Sequence, residues 1–376
     1  MTYVNFLYDH PMAQPAPGYP LPPSAPQSPP LPPPRVPRHR GLKIAVAITT
    51  VLASLSVIAV VVVGVGRLAG IGAAEPLPVA QRAADEPTAV SISEQEIKEL
   101  LRAQSTALAE RDEQAFLRNF GPKARPGQRR TFRNLGKIPF VTASYEIIKS
   151  AGRATDSFGR GAKISVDVAF VHQIKNVDVR PVAEWYRWTV EKRPGGKPII
   201  TAVGGSPAAY GDAKFVYYPM PWDIYDDMYV VRRPHVLIIT KKANRAVADR
   251  SAPILERAAV DNLSAWRRNG PPGTVTLPGF MIALEPERRV YNKLFRVALK
   301  DNPNEAGFAL AMRSFQRAGE DGVGFGGARI AMDTRDSRWT GPNWRAGVLD
   351  IGRHEIAHAM VDPLLADSAG VLNSPE

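Results

Sequence analysis

Arg353-His354-Glu355-Ile356-Ala357-His358-Ala359-Met360 is the stretch from which the rest of the chain is read. On a helix, residues four apart stand one turn above each other, so His354 and His358 share a face. Two imidazoles so placed reach one metal ion. Zinc is the expected occupant, because it takes nitrogen ligands in a tetrahedral shell and can keep one position for water. Glu355 points away from the two ligands, where a carboxylate can accept a proton from activated water. Ile356, Ala357, Ala359 and Met360 are apolar, which predicts a buried helix carrying a polar stripe. The plainer alternative is a surface helix with two solvated histidines.

Just upstream, Ala328–Asp333 follows the glycine-rich Gly322–Gly327 and reads as a short strand. It is expected to be the sheet edge beside the motif helix, where an extended peptide can add as a further strand. With this motif and this strand, the C-terminal part resembles the peptidase-MA-type, thermolysin-like gluzincin domains of bacterial cell-surface proteins. The resemblance implies that His354 and His358 are metal ligands and Glu355 the general base. The family takes its third ligand from a glutamate on a second helix. Here Glu376, eighteen positions past His358, is the only downstream glutamate. The third ligand is therefore left open, with Glu376 a weak candidate, and residues 220–376 are read as a C-terminally incomplete zincin-like domain. Asp362, four residues after His358, is read as a partner of that histidine or as a helix cap.

Further upstream, Tyr229–Thr240 is expected as a strand interrupted at Arg232-Arg233-Pro234, with His235 a residue of its start. Residues 243–266 are expected as a helix, Thr274–Leu284 as a strand and Pro286–Leu299 as a helix. That order matches what the resemblance implies for the first half of a gluzincin domain. The aromatic, proline-rich Tyr217–Asp227 is read as packing between this region and the one before it.

Residues 92–210 form the preceding region. Ser93 with Glu96 three residues on, and Ile92 with Ile97, spell a capped and stapled helix start. Ile97, Leu100, Leu101 and Leu108 continue its apolar stripe, and Asp112 restarts the pattern ahead of Phe116, Leu117 and Phe120. The arginine- and lysine-rich stretch from Lys123 to Lys137 reads as a basic loop. It is either simply solvated or a contact for anionic envelope polymer or lipid headgroups; nucleic acid is not expected. Four alternating runs follow, at 141–148, 164–172, 182–191 and 198–203. His172 is read as a packed or rim histidine. Helices followed by a curved antiparallel sheet make this region similar to a nuclear-transport-factor-2-like domain, on pattern alone.

Residues 1–43 are dominated by proline and read as a disordered cytoplasmic tail. Ile44 to Gly66 carries no charged residue and is long enough to span a bilayer. Arg35, Arg38, Arg40 and Lys43 precede it and only Arg67 follows closely. The chain is thus expected to cross the plasma membrane once, N-terminus inside, with its C-terminal domains on the extracellular side. Residues 67–91 are a linker. The absence of cysteine excludes a disulfide scaffold, a thiolate metal site and thiol catalysis, and the net charge is +12.

The expected protein is thus α+β behind one transmembrane helix. Its expected function is that of a membrane-anchored zinc metallopeptidase acting on peptide or protein substrates. The alternative is a non-catalytic, membrane-anchored envelope binding or scaffold protein with a truncated or degenerate peptidase domain.

Overall fold

A computed structural model of the chain describes residues 90–148, 158–206, 217–295, 305–315 and 324–368, with side chains to 364. The expected tail, transmembrane segment and most of the linker lie outside these residues, as does Glu376. Among the described residues no helix is long and apolar enough to cross a membrane. The described chain is mixed α+β.

Helix α1 (Glu94–Ala109) begins as its sequence requires: the Ser93 side chain accepts from the Glu96 amide, and Glu96 reaches back to the Ser93 amide. Ile92 and Ile97 are both buried beside it. Asp112 caps α2 (Glu113–Arg118) by accepting from the Ala115 amide at 2.9 Å. The stretch expected as a basic loop is helical instead, as α3 (Arg125–Leu135), with Pro126 in its first turn. The reason lies in Thr131, Phe132 and Leu135. They recur at helical spacing and are buried, while the arginines occupy the outer face.

Strands β1 (Phe140–Ile147), β2 (Lys163–Ile174), β3 (Val182–Glu191) and β4 (Ile199–Gly205) make an antiparallel sheet in chain order. Register pairs Tyr145 with Phe170 and Phe170 with Glu184, so one face carries Tyr145, Phe170, Glu184 and their neighbours two residues away. Helices α1 to α3 contribute Leu101, Phe116 and Phe132 to the core that covers this face, and Phe120, just after α2, joins them. The single-turn α4 (Pro221–Ile224) brings Trp222 onto it as well, edge-on to Phe140 and His172. Asn134 of α3 holds that turn by donating to the Trp222 and Tyr225 carbonyls.

The second sheet is five-stranded and mixed, in the order β5-β6-β7-β9-β8. It comprises β5 (Met228–Arg232), β6 (Val236–Lys241), β7 (Phe280–Glu285), β8 (Gly307–Arg313) and β9 (Phe325–Asp333). The pairs β6–β7 and β7–β9 are parallel; β5 and β8 lie antiparallel on the two edges. Helices α5 (Arg245–Asn269), the single-turn α6 (Arg288–Tyr291) and α7 (Trp344–Ser368) complete this part.

Several expectations need correcting here. Tyr229–Thr240 is a hairpin of two strands, because Pro234 offers no amide to a ladder and the chain turns there. Pro278 likewise shortens the strand expected from Thr274, which starts only at Phe280. Of the helix expected over Pro286–Leu299, the described residues to Phe295 form one turn, and Phe295 itself lies in the left-handed region at φ 62°. The strand over Ala328–Asp333 is not an edge. It lies between β7 and β8 and is almost wholly buried, while the unforeseen β8 takes the edge.

Alternate residues of the second sheet serve two cores. Leu237, Ile239, Met281, Ala283 and Ala331 face the core of the first sheet, whereas Ile238, Phe280, Ile282, Ile330 and Met332 face α5 and α7. Burial on both faces explains why these strands are nearly continuous apolar runs. Where the sheets meet, Arg329 of β9 reaches Asp178 with two hydrogen bonds of 2.6 and 3.0 Å, all fully buried. Gly326 and Gly327 permit this approach: a Cβ on Gly327 would stand 2.2 Å from the Asp178 carboxylate. Tyr217 ties the connecting segment to the edge strand by donating to the Ala311 carbonyl at 3.2 Å.

Candidate metal centre

The motif lies on α7, whose buried residues are Val348, Ile351, Gly352, Glu355, Ile356, Ala359, Met360 and Pro363, which recur at spacings of three and four. This stripe packs on α5, and Gly352 allows close contact: a Cβ there would stand 3.0 Å from Leu255 and 3.1 Å from Ala258. Gly347 sits against the turn Ser337–Trp339, where a Cβ would meet the Arg338 carbonyl at 2.6 Å.

Within this helix the three motif residues divide. His354 and His358 lie on the exposed side, with ring centroids 4.7 Å apart. His358 Nδ1 stands 3.2 Å from Asp362 Oδ1, one turn further on. If Nδ1 carries the proton, as that contact favours, Nε2 is left with its lone pair outward. Partial burial, and then the charge of His358, hold the His354 imidazole below its ordinary value.

Glu355 turns the other way and is only 5% exposed. It lies over the start of edge strand β8. A Cβ on Gly307 would stand 2.6 Å from its Oε1, so a larger residue there would have to displace this carboxyl. Among the described residues it accepts no hydrogen bond. Burial pushes it up to about 7, opposed by His358 and reinforced by Glu305. A carboxyl poised near neutrality can take up and return a proton at physiological pH.

The structure therefore brings together a pair of imidazoles and, beside them, a buried carboxyl against a strand edge. It does not add a third metal ligand. Among the described residues no group of three histidines, aspartates or glutamates could hold an ion. Gly307 and β8 were missed from sequence, where a lone glycine ahead of a seven-residue strand gave no signal of a carboxyl overhead. The two other histidines with strong contacts serve packing: His172 stacks on Phe170, and His235 Nδ1 meets Glu256 at 2.6 Å. No protein-family model matches the chain, and no curated protein and no solved structure matches it significantly.

Proposed function

We propose that this chain is a membrane-anchored zinc metallopeptidase of gluzincin type. The observation that carries the reading is the split geometry of α7: two adjacent imidazoles turned outward and the intervening carboxyl turned in over β8. The five-stranded mixed sheet with an antiparallel edge strand ahead of the motif helix supports the zincin-like half of the fold. The four-stranded sheet with helices on one face supports the nuclear-transport-factor-2-like half. The anchor rests on the charge-free run 44–66 and its basic flank.

His354 and His358 fit two nitrogen positions of a zinc shell, and Asp362 suits the outer partner that fixes a ligating imidazole. A third ligand has to come from outside the described residues, with Glu376 the candidate that the sequence offers. Zinc held there supplies a Lewis acid to the scissile carbonyl. Glu355 takes the proton of the attacking water and passes it to the leaving amine. The β8 edge offers main-chain groups to an extended peptide, and its nearness to Glu355 puts such a peptide beside the base.

The second reading is a membrane-anchored binding or scaffold protein with a degenerate centre, favoured by the lack of a third ligand among the described residues. Zinc analysis and peptide hydrolysis on the full chain separate the two. The peptidase reading expects about one zinc per chain, lost in His358→Ala, and hydrolysis lost in Glu355→Gln with the zinc retained. Substoichiometric metal in the wild type sinks it and leaves the scaffold.

A further inference from the structure

Three clefts run in series past α3. The first, of about 500 Å³, is lined by Arg118, Arg125, Arg129 and Arg133 with Glu113. The second, of about 480 Å³, shares Arg133 and adds Arg111 and Lys137 above an apolar floor that includes Leu108, Phe132 and Ile138. The third, of about 530 Å³, shares Lys137 and adds Arg232, Lys242 and Asp227. Shared walls make them one path rather than three pits. Arg125, Arg129 and Arg133 recur every fourth residue, so their cations repeat about every 6 Å along α3, and Lys137 follows just past its end.

The acids on this path orient cations without neutralising them. Glu113 binds both Arg129, at 3.0 Å, and Arg133, at 3.2 Å. Asp227 binds both Lys137, at 2.8 Å, and Lys242, at 3.0 Å. Each carboxylate thus holds two cations in place and leaves one positive charge over. The cations remain open to a ligand: Arg133 is 64% and Lys242 61% exposed. Arg118 adds a cation that no carboxylate pairs among the described residues.

The form of this surface selects among anions. A single small anion needs convergent donors in one pocket, whereas these are strung along a path. Single-stranded nucleic acid would need aromatic platforms for its bases. The rings present, Phe132, Phe140 and Tyr229, are buried or half-buried, and the Tyr229 hydroxyl is engaged by Asp249. We propose that the α3 path is a binding groove for a linear polyanion without bases, of the phosphodiester or polyphosphate class carried by envelope polymers. This site is separate from the α7 centre and does not depend on its chemistry.

Long-chain inorganic polyphosphate is the probe, titrated against the full chain in detergent at several salt concentrations. Binding that weakens steeply with salt is expected. Arg118→Gln/Arg129→Gln/Arg133→Gln removes three contacts, which should flatten the log–log salt slope by about 2 and weaken binding about fiftyfold near physiological salt. The charge-matched Arg257→Gln/Arg267→Gln/Arg268→Gln, on exposed positions of α5, should bind like the wild type. Arg111→Gln/Arg118→Gln leaves both Glu113 pairs intact and should give an intermediate loss, which covers a triple variant that fails to fold. The proposal is overturned if polyphosphate does not bind, or if the α5 control loses as much as the groove variant. It is equally overturned if oligothymidylate binds more tightly than polyphosphate, or if only phosphatidylglycerol vesicles are bound.

Discussion

Tyr186 donates one proton, yet its hydroxyl lies 2.8 Å from Glu184 Oε2 and 2.9 Å from Asp223 Oδ1. One hydroxyl hydrogen cannot satisfy two carboxylates, so one of the acids has to keep a proton of its own. Burial is the main cause that raises both: Asp223 titrates at about 6 against 3.8 in an open chain, and Glu184 well above 4.5. The Tyr145 and Tyr218 phenols face the same cluster, as does Arg329, whose charge lowers Glu184, and Arg130, whose charge lowers Asp223. The sign follows from the raised values. Stability from the protonated acid is fully present below about 3.8 and is lost as pH rises through about 6. Between those limits the loss reaches about 3 kcal/mol from Asp223 alone, and Glu184 adds to it at higher pH. Asp223→Asn removes the requirement. Its carbonyl can still accept from the Met220 amide, as Asp223 does at 2.9 Å, while its NH₂ donates toward Tyr186 and Glu184. Urea unfolding followed by tryptophan fluorescence, run on both chains from pH 4 to pH 8, isolates the effect as a difference. The two should be close in stability near pH 4, and the variant should be ahead by up to about 3 kcal/mol at pH 7. A difference that does not change with pH would refute the shared-proton argument.

Three further outcomes follow from the packing. Arg329→Met strands the Asp178 carboxylate in the interior and should cost about 3–5 kcal/mol in the same unfolding assay, while Arg329→Met/Asp178→Leu should recover much of it. Gly307→Ala drives a methyl into the Glu355 carboxyl and should destabilise by about 1–3 kcal/mol, a cost that shrinks when Glu355 is also alanine. Ser93→Ala removes the α1 cap and should cost about 1 kcal/mol, visible as a lowered melting temperature.

Local rules carried the reading of this chain wherever a single residue type had one physical use. Ser93 with Glu96, and Asp112, announced their helix starts because a short oxygen side chain before an apolar stripe satisfies exposed amides. Strand β3 was legible because one face is buried under aromatic rings, which imposes alternation. Legibility failed where two signals competed. In α3, the density of arginine and lysine suggested a loop, and the buried positions Thr131, Phe132, Asn134 and Leu135 were too few to outweigh it. In the second sheet both faces are buried, so alternation vanishes, and the edge could not be told from the interior. Ala328–Asp333 was placed outermost, although its apolar run is what an interior strand requires.

The motif on α7 was legible for a different reason, and that reason also explains what was missed. His354 and His358 obey the same helical period as the core residues beside them, so their spacing could be read without knowing the fold. The position of Glu355 could not, because it depends on a partner far away in sequence. Ile351, Glu355 and Met360 point toward the protein, so the carboxyl takes a place that an apolar side chain would otherwise fill. It rests against the bare backbone of Gly307. A buried acid without a hydrogen bond among its described neighbours lowers stability, and a leucine there would pack at no such cost. Two imidazoles turned outward and a carboxyl turned in over the start of β8 are the geometry on which the proposed hydrolytic centre rests.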